Sequence, residues 1–302
     1  MSDTDKQKKR WRLRAELAVL ICVVCIGIVR LVTVDIDSTK AAVLKQVVKI
    51  RPNSANAHLN LGDTYYDLGN YEGAIEAYKE AIRINPNDTN VYGYLTRCYL
   101  DIGRDEEAAE TLRQLVRIEP NDDYAHLTLG NIYYDANSLE EAEESYKTVI
   151  RLDPKCFDAH LNLGHVYSNL GNYEKAIEAY KEAVRIDPNL PLTHICLAFT
   201  YQDLQRYEEA IKEWKQVIKL EPGIAGLHSL LGEVYIQTSQ YVEAIQNFQD
   251  AILMDQDHAR AHFNLGKAYL EIDNKDLALE EYEILKTLDE ELANELLSLI
   301  HE

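Results

Sequence analysis

The chain has 302 residues, with 51 acidic side chains against 31 basic ones and a net charge of −20. A surface so rich in carboxylates repels a phosphate backbone, which excludes nucleic acid as a ligand class. Five cysteines, an odd number, do not make a disulfide scaffold. Cys98, Cys156 and Cys196 read as small buried hydrophobes.

Residues 1–14 are a basic tail carrying Lys6, Lys8, Lys9, Arg10, Arg12 and Arg14. Residues 15–34, AELAVLICVVCIGIVRLVTV, are predicted to be a transmembrane signal anchor in which Arg30 snorkels to the interface. A cleaved signal would need a small-x-small site after the apolar core. The residues there are Ile28-Val29-Arg30-Leu31-Val32, so the segment reads as retained. The basic tail is met first during insertion. The expectation is therefore a single-pass membrane protein with a cytoplasmic N-terminus and the rest outside the cytoplasm, periplasmic or luminal. Lys40, Lys45, Lys49 and Arg51 on the other flank leave the reverse orientation open.

Residues 35–54 are a linker and half repeat. Val43, Leu44, Val47 and Val48 ahead of Pro52 read as the second helix of an incomplete leading unit. From Ala55 the chain then repeats itself. Pro52, Pro86, Pro120, Pro154, Pro188 and Pro222 are 34 residues apart. A fixed period of this length is the mark of a solenoid built from one copied helical hairpin.

Seven repeats fill residues 55–288, beginning at residues 55, 89, 123, 157, 191, 225 and 259. Position 7 is Leu throughout, from Leu61 to Leu265; position 11 is Tyr, from Tyr65 to Tyr269; position 20 is Ala, from Ala74 to Ala278. Position 8 is Gly at Gly62, Gly130, Gly164, Gly232 and Gly266. Position 24 is a large ring at Tyr78, Tyr146, Tyr180, Trp214, Phe248 and Tyr282. In the first repeat, Leu61, Tyr65 and Leu68 trace one helical face, and Tyr71, Ala74, Ile75, Tyr78, Ala81 and Ile82 trace a second. Gly69, Gly103 and Gly171 stand where the first helix must end in a left-handed residue. Asn85-Pro86-Asn87-Asp88 stops the second helix. Residues 289–302, with Leu292, Leu296 and Ile300 on one face, are predicted to be a capping helix.

These positions resemble the tetratricopeptide repeat family, whose signature is W-x2-L-G-x2-Y, then A-x3-F, then P. His takes the place of Trp at position 4 in six repeats, and Gln256 and Glu290 replace the closing Pro in the last two. The resemblance implies an all-α fold, a right-handed α-α superhelical solenoid of helical hairpins, here behind an N-terminal transmembrane helix. It implies binding of protein partners or extended peptides in a concave groove, and no enzyme activity. The function expected is a membrane-tethered scaffold for an envelope complex. A non-catalytic, substrate-selecting subunit of an enzyme such as a glycosyltransferase, or a cytoplasm-facing adaptor, are the alternatives.

The histidines at position 4 form a ladder, but equivalent positions lie more than about 8–10 Å apart. Zinc ligands must converge within a few ångströms, so these histidines read as filling the Trp slot, with no metal and no cofactor. In the family the groove is lined by the inner face of the first helices, at positions 2, 5, 6, 9, 12 and 13. Here that face offers Tyr66, Asp67, Tyr94, Asp101, Tyr134 and Asp135, with Asn60, Asn162 and Asn264 at position 6. The repeat arm of O-linked N-acetylglucosamine transferase holds peptide backbone on a ladder of Asn at position 6; this chain keeps three of seven rungs. Arg97, Arg260 and Lys267 are the only cations on the face, among many acids. A tyrosine-lined acidic groove is thus expected to take a neutral or basic extended peptide.

Overall fold

The structure is a computed structural model that describes residues 38–301. The basic tail and the anchor expected at 15–34 lie outside the described residues. Among the described residues no helix is long and apolar enough to cross a membrane, and all regular structure is helical.

Helix α1 covers 38–50. The hairpins that follow are α2 (Ala55–Asp67) with α3 (Tyr71–Ile84), α4 (Thr89–Asp101) with α5 (Asp105–Ile118), and α6 (Asp123–Asp135) with α7 (Leu139–Leu152). Next come α8 (Phe157–Asn169) with α9 (Tyr173–Ile186), and α10 (Pro191–Asp203) with α11 (Tyr207–Leu220). The last are α12 (Ala225–Gln237) with α13 (Tyr241–Met254), α14 (Ala259–Glu271) with α15 (Lys275–Leu288), and the terminal α16 (Glu290–His301). The chain falls into two compact units that divide between Ile132 and Tyr133.

The turn inside each hairpin is the same in all seven repeats. The residue at position 15 is left-handed: Gly69, Gly103 and Gly171 have φ of 70–71°, while Asn137, Gln205, Ser239 and Asp273 have φ of 58°. The amide at position 16 donates to the carbonyl of the position-11 Tyr, as in Asn70 to Tyr65 (2.8 Å) and Gln240 to Tyr235 (2.9 Å). This six-to-one bond satisfies a carbonyl that the helix end would orphan. Glycine marks the turn in three repeats only. Of the other four, Asn137 and Asp273 are types that adopt this conformation readily, while at Gln205 and Ser239 the bond holds a residue in a conformation that costs it about 1–2 kcal/mol.

Within a hairpin the two helices meet where position 8 faces position 24. A Cβ on Gly62 would lie 2.4 Å from Tyr78 Cε1, one on Gly164 2.3 Å from Tyr180 Cε1, and one on Gly232 2.6 Å from Phe248 Cε1. Tyr78, Tyr180, Trp214 and Phe248 are buried, as is the whole column of position-20 alanines described. Each buried ring contributes roughly 1.5–3 kcal/mol. The last repeat departs from this pattern. Gly266 is covered by Leu296 of α16, whose Cδ2 would be 2.5 Å from an added Cβ, and Tyr282 is only half-buried. Leu296 and Ile300 make the buried face of α16, and Lys275 Nζ donates to the Ile300 carbonyl at 2.9 Å.

Between hairpins the position-4 side chain reaches back six residues. Nε2 of His58, His126, His160, His194 and His262 donates to the carbonyl of residue 52, 120, 154, 188 and 256 respectively, at 3.0–3.1 Å. Tyr92 donates its hydroxyl to the Pro86 carbonyl at 3.0 Å. The acceptor is backbone, which is why Gln256 serves where Pro is missing. Repeat six lacks this bond. His228 makes none to residue 222, its Nδ1 is buried without a partner, and Asp250 is 3.9 Å away.

One cysteine expectation is corrected. Cys98 is buried and Cys196 is half-buried, and burial pushes both thiols up to about 11. Cys156, the residue preceding α8, is half-buried as Cys196 is, so the expectation of a buried residue is met in full by Cys98 alone.

Two glycines of first helices should respond oppositely to substitution. Gly164→Leu should lower stability by about 1–3 kcal/mol, because buried Tyr180 cannot yield. Gly93→Ala, with nothing within 4 Å of the added carbon, should raise it by up to about 1 kcal/mol. Midpoints of denaturant unfolding measure both; an unchanged midpoint for Gly164→Leu would mean that ring and glycine do not touch.

Candidate functional site

The inner face is defined in the C-terminal unit by a hollow of about 200 Å³. Its walls are Glu233, Ile236 and Gln237 from α12, and Arg260, Asn264, Lys267 and Glu271 from α14. These are positions 9, 12 and 13 of one repeat and 2, 6, 9 and 13 of the next. They are the positions that the sequence marks as groove-lining, and here they share one surface. A second hollow of about 490 Å³ adjoins it, where Arg260 and Lys267 face Glu291, Leu292 and Glu295 of α16.

Two contacts recur along this face. The first joins position 12 to position 13 of the next repeat. Tyr66 Oη donates to Asp101 Oδ2 at 2.5 Å, and Asn169 Nδ2 donates to Tyr134 Oη at 3.0 Å. The second joins the core ring at position 24 to position 9 of its own hairpin. Tyr78 Oη donates to Asp63 at 2.8 Å, and Tyr180 Oη donates to His165 Nδ1 at 2.8 Å. Burial holds His165 below the usual histidine range, so its ring is a neutral acceptor. Trp214 Nε1 reaches position 12 instead, donating to Gln202 at 2.9 Å, and its ring meets Phe199 edge-on at 5.0 Å.

In the N-terminal unit Tyr66 is half-buried. Its hydroxyl bond to Asp101 pushes its pKa up to about 12, and Arg97 lies 5.1 Å from its ring centre. Tyr94 stacks on Tyr78 at 5.9 Å and remains 45% exposed. Asn60, Asp67 and Asp101 are exposed, Asp101 as the acceptor for Tyr66. In the C-terminal unit Tyr134 is half-buried beside His165, at 6.5 Å between ring centres, and Asp135 is exposed. The predicted residues therefore fall into two groups, Asn60, Tyr66, Asp67, Tyr94 and Asp101 in one unit and Tyr134, Asp135 and Asn162 in the other.

The asparagine rungs are not equivalent. Asn162 hydrogen-bonds the Tyr146 phenol, whose pKa burial drives up. Asn264 donates to Glu233 at 2.9 Å, and Arg260 donates to the same oxygen at 3.2 Å. Lys267 is exposed over the Phe263 ring at 5.2 Å. Sequence reasoning passed over Tyr124, at position 2 of the third repeat, which is 69% exposed. Its signal was available, since position 2 belongs to the lining set, but no ladder of like residues drew attention to it. Leu192 and Phe199 make an exposed apolar stretch at positions 2 and 9 of the fifth repeat.

Two position-4 histidines have both nitrogens occupied. His194 Nδ1 faces Glu213 Oε2 at 2.6 Å, and His262 Nδ1 faces Glu281 Oε2 at 2.6 Å. Each ring therefore sits between two acceptors, a backbone carbonyl at Nε2 and a carboxylate at Nδ1. The Glu281 hydrogen bond accordingly raises His262 above its ordinary value, against the opposing effect of burial.

Comparison with known proteins agrees with this architecture. Tetratricopeptide repeat models match residues 66–132, 40–89 with 127–191, and 259–291, and a TPR repeat model matches 201–239 and 232–273. The chain belongs to the tetratricopeptide repeat family. No curated protein matches it. Among solved structures it is similar to MamA protein, at 28% identity over 56% of this chain and 92% of that one, with a TM-score of 0.53. YrrB, described as "a TPR protein with an unusual peptide-binding site", is 21% identical over 62% of this chain and 97% of its own, with a TM-score of 0.54. A TPR repeat-containing protein from Cytophaga hutchinsonii is 17% identical over 79% of this chain and 99% of the part solved, with a TM-score of 0.68. The last two share the fold.

Raising the folded-state pKa of His262 stabilises the fold at low pH. That contribution is complete below the unfolded value near 6.5 and is lost as pH rises through the higher folded value. Glu281→Gln should therefore lower the melting temperature at pH 6 and much less at pH 9. Equal losses at both pH values would show that the pair carries no proton linkage.

Proposed function

We propose that this protein is a membrane-tethered repeat scaffold that holds protein partners or extended peptides on the inner face of its first helices. The observation that carries the reading is the exposed tyrosine surface around Tyr94, flanked by the Tyr66–Asp101 pair. Aromatic rings give large contact area at small entropic cost, and hydroxyls at their tips supply hydrogen bonds. Solenoids use such faces to bind rather than to react, and we read the chain as a non-catalytic part of an envelope complex. The family membership supports protein or peptide partners. The peptide-binding site in the name given to YrrB is in keeping with this, although that likeness extends to fold alone.

The tether is read from residues 15–34 and the orientation from the basic tail before them. The repeats would then work close to the membrane surface, outside the cytoplasm. Protease added to sealed spheroplasts should digest the repeats and leave the anchor in the membrane. Protection of the repeats would reverse the orientation, and extraction by carbonate would remove the anchor from the reading.

The binding face has its own test. Tyr94→Ala combined with Tyr134→Ala should weaken capture of partners from solubilised membranes by more than about 2 kcal/mol, in the range of interface hot spots. Circular dichroism should show the variant folded. Normal capture by a folded double variant would place the site elsewhere, with the apolar stretch at Leu192, Ile195 and Phe199 next in line.

A further inference from the structure

We propose that the protein pairs with a second copy of itself through the outer surface of repeats five to seven, about a two-fold axis that runs along α13. The proposal does not depend on the inner face as a peptide site. It assigns a second surface, on the second helices.

The repeats supply the control. Positions 18, 22, 25 and 29 are spaced by four, three and four residues, so they form one stripe along each second helix. In repeat one the stripe is Glu72, Glu76, Lys79 and Arg83, and in repeat four it is Glu174, Glu178, Lys181 and Arg185, all exposed. Repeats two and three keep the same order of two acids and then two bases. That order suits the helix dipole, whose N-terminus favours acids and whose C-terminus favours bases. Repeat six abandons it. Its stripe is Val242, Gln246, Gln249 and Leu253, with no charge at any position. Val242 is 74% and Leu253 80% exposed, where the first four repeats place an acid and a base. Glu243 and Asp250 lie about a quarter-turn off the stripe, outside the line of contact.

The stripes on either side carry opposite charge. Gln240, at the start of α13, donates to Glu208 of α11 at 3.1 Å, which places α11 and α13 on one surface. The packing that sets α13 beside α11 through α12 recurs through α14 and sets α15 beside α13. The α11 stripe is Glu208, Lys212, Lys215 and Lys219; the α15 stripe is Asp276, Glu280, Glu283 and Thr287. A basic flank, a neutral centre and an acidic flank thus stand side by side.

This order selects the occupant. A fitting partner carries acidic, neutral and basic bands in that sequence, and this surface turned over does so. A two-fold axis along the centre exchanges the flanks of the second copy, as an isologous interface allows. Val242 and Leu253 then meet their counterparts and leave water. Lys212 and Lys215 of each copy stand opposite Glu280 and Glu283 of the other, so the potentials match. Glu283 is engaged only by Lys286 at 2.9 Å, an exposed pair of small worth. An axis laid across the helices sets Lys212 against Lys215 and Glu280 against Glu283, so charge also fixes the direction. Elsewhere two chains of net charge −20 repel each other, which confines the contact to this surface.

Sedimentation velocity of the purified full chain in detergent, across a concentration series, tests this. The parent should form a dimer, and Leu253→Lys should weaken it about tenfold or more. Lys212→Glu with Lys215→Glu should weaken it to a similar degree. Adding Glu280→Lys with Glu283→Lys to that same chain should restore it. All five side chains are exposed, so the variants keep the circular dichroism of the parent. A parent that stays monomeric at every concentration overturns the proposal, and so does a dimer indifferent to Leu253→Lys. Charge reversal without effect, or without rescue by the second reversal, overturns the two-fold arrangement and the proposal with it.

Discussion

The close approach of position 8 to position 24 governs the rest of the molecule. A glycine with no Cβ lets a large ring lie against the first helix of its own hairpin, so close that an added Cβ at Gly62, Gly164 or Gly232 would fall 2.3–2.6 Å from a ring carbon. The contact fixes the spacing of the two helices and also sends the polar end of the ring past the core. Tyr78 emerges at Asp63, Tyr180 at His165 and Trp214 at Gln202, all residues of the inner face. In these three repeats core packing and groove chemistry are therefore coupled through one side chain each.

The stacking of hairpins depends on a second, weaker device. A donor at position 4 bonds a carbonyl six residues back and closes each junction that has it. His and Tyr both suffice because the acceptor asks only for a hydrogen at the right reach. The junction into repeat six does without it. There Pro222 and Gly223 lead into α12 past Ile224, whose apolar side chain offers the helix no capping acceptor, and His228 Nδ1 remains unpaired. Without that staple the junction is held by packing, by Gln240 donating to Glu208 at 3.1 Å and by Lys215 lying 5.7 Å from the Tyr235 ring centre.

The sequence made the fold legible because a repeat supplies its own controls. Seven occurrences of Leu, Tyr and Ala at fixed positions separate core from surface without an alignment. Glycine at position 8 predicted the close approach in advance. The left-handed turns at Gln205 and Ser239 were not legible, because a hydrogen bond rather than residue type imposes them. The replacement of Tyr282 by Leu296 over Gly266 was hidden too, since a terminal helix follows no repeat phase. At the face, lining positions could be named but not the pairings across repeats. Tyr66 with Asp101, and Asn264 with Glu233, lie 35 and 31 residues apart, and periodicity does not report which of two neighbours a flexible side chain chooses.

Variation at the core ring explains why the face differs along its length. At Tyr78 and Tyr180 the ring hydroxyl engages position 9 and leaves that residue less free to reach the next repeat. Phe248 has no hydroxyl. Position 9 of its repeat, Glu233, turns outward and accepts from both Asn264 and Arg260 of the following one. A buried substitution of one oxygen atom thus accompanies a change from a hydroxyl-lined surface to a charged hollow. The exposed tyrosine surface of the N-terminal unit, where Tyr78 donates to Asp63 and stacks with Tyr94, differs in the same way from the ionic hollow of repeats six and seven. Two binding chemistries can therefore arise on one repeated scaffold from choices made inside its core.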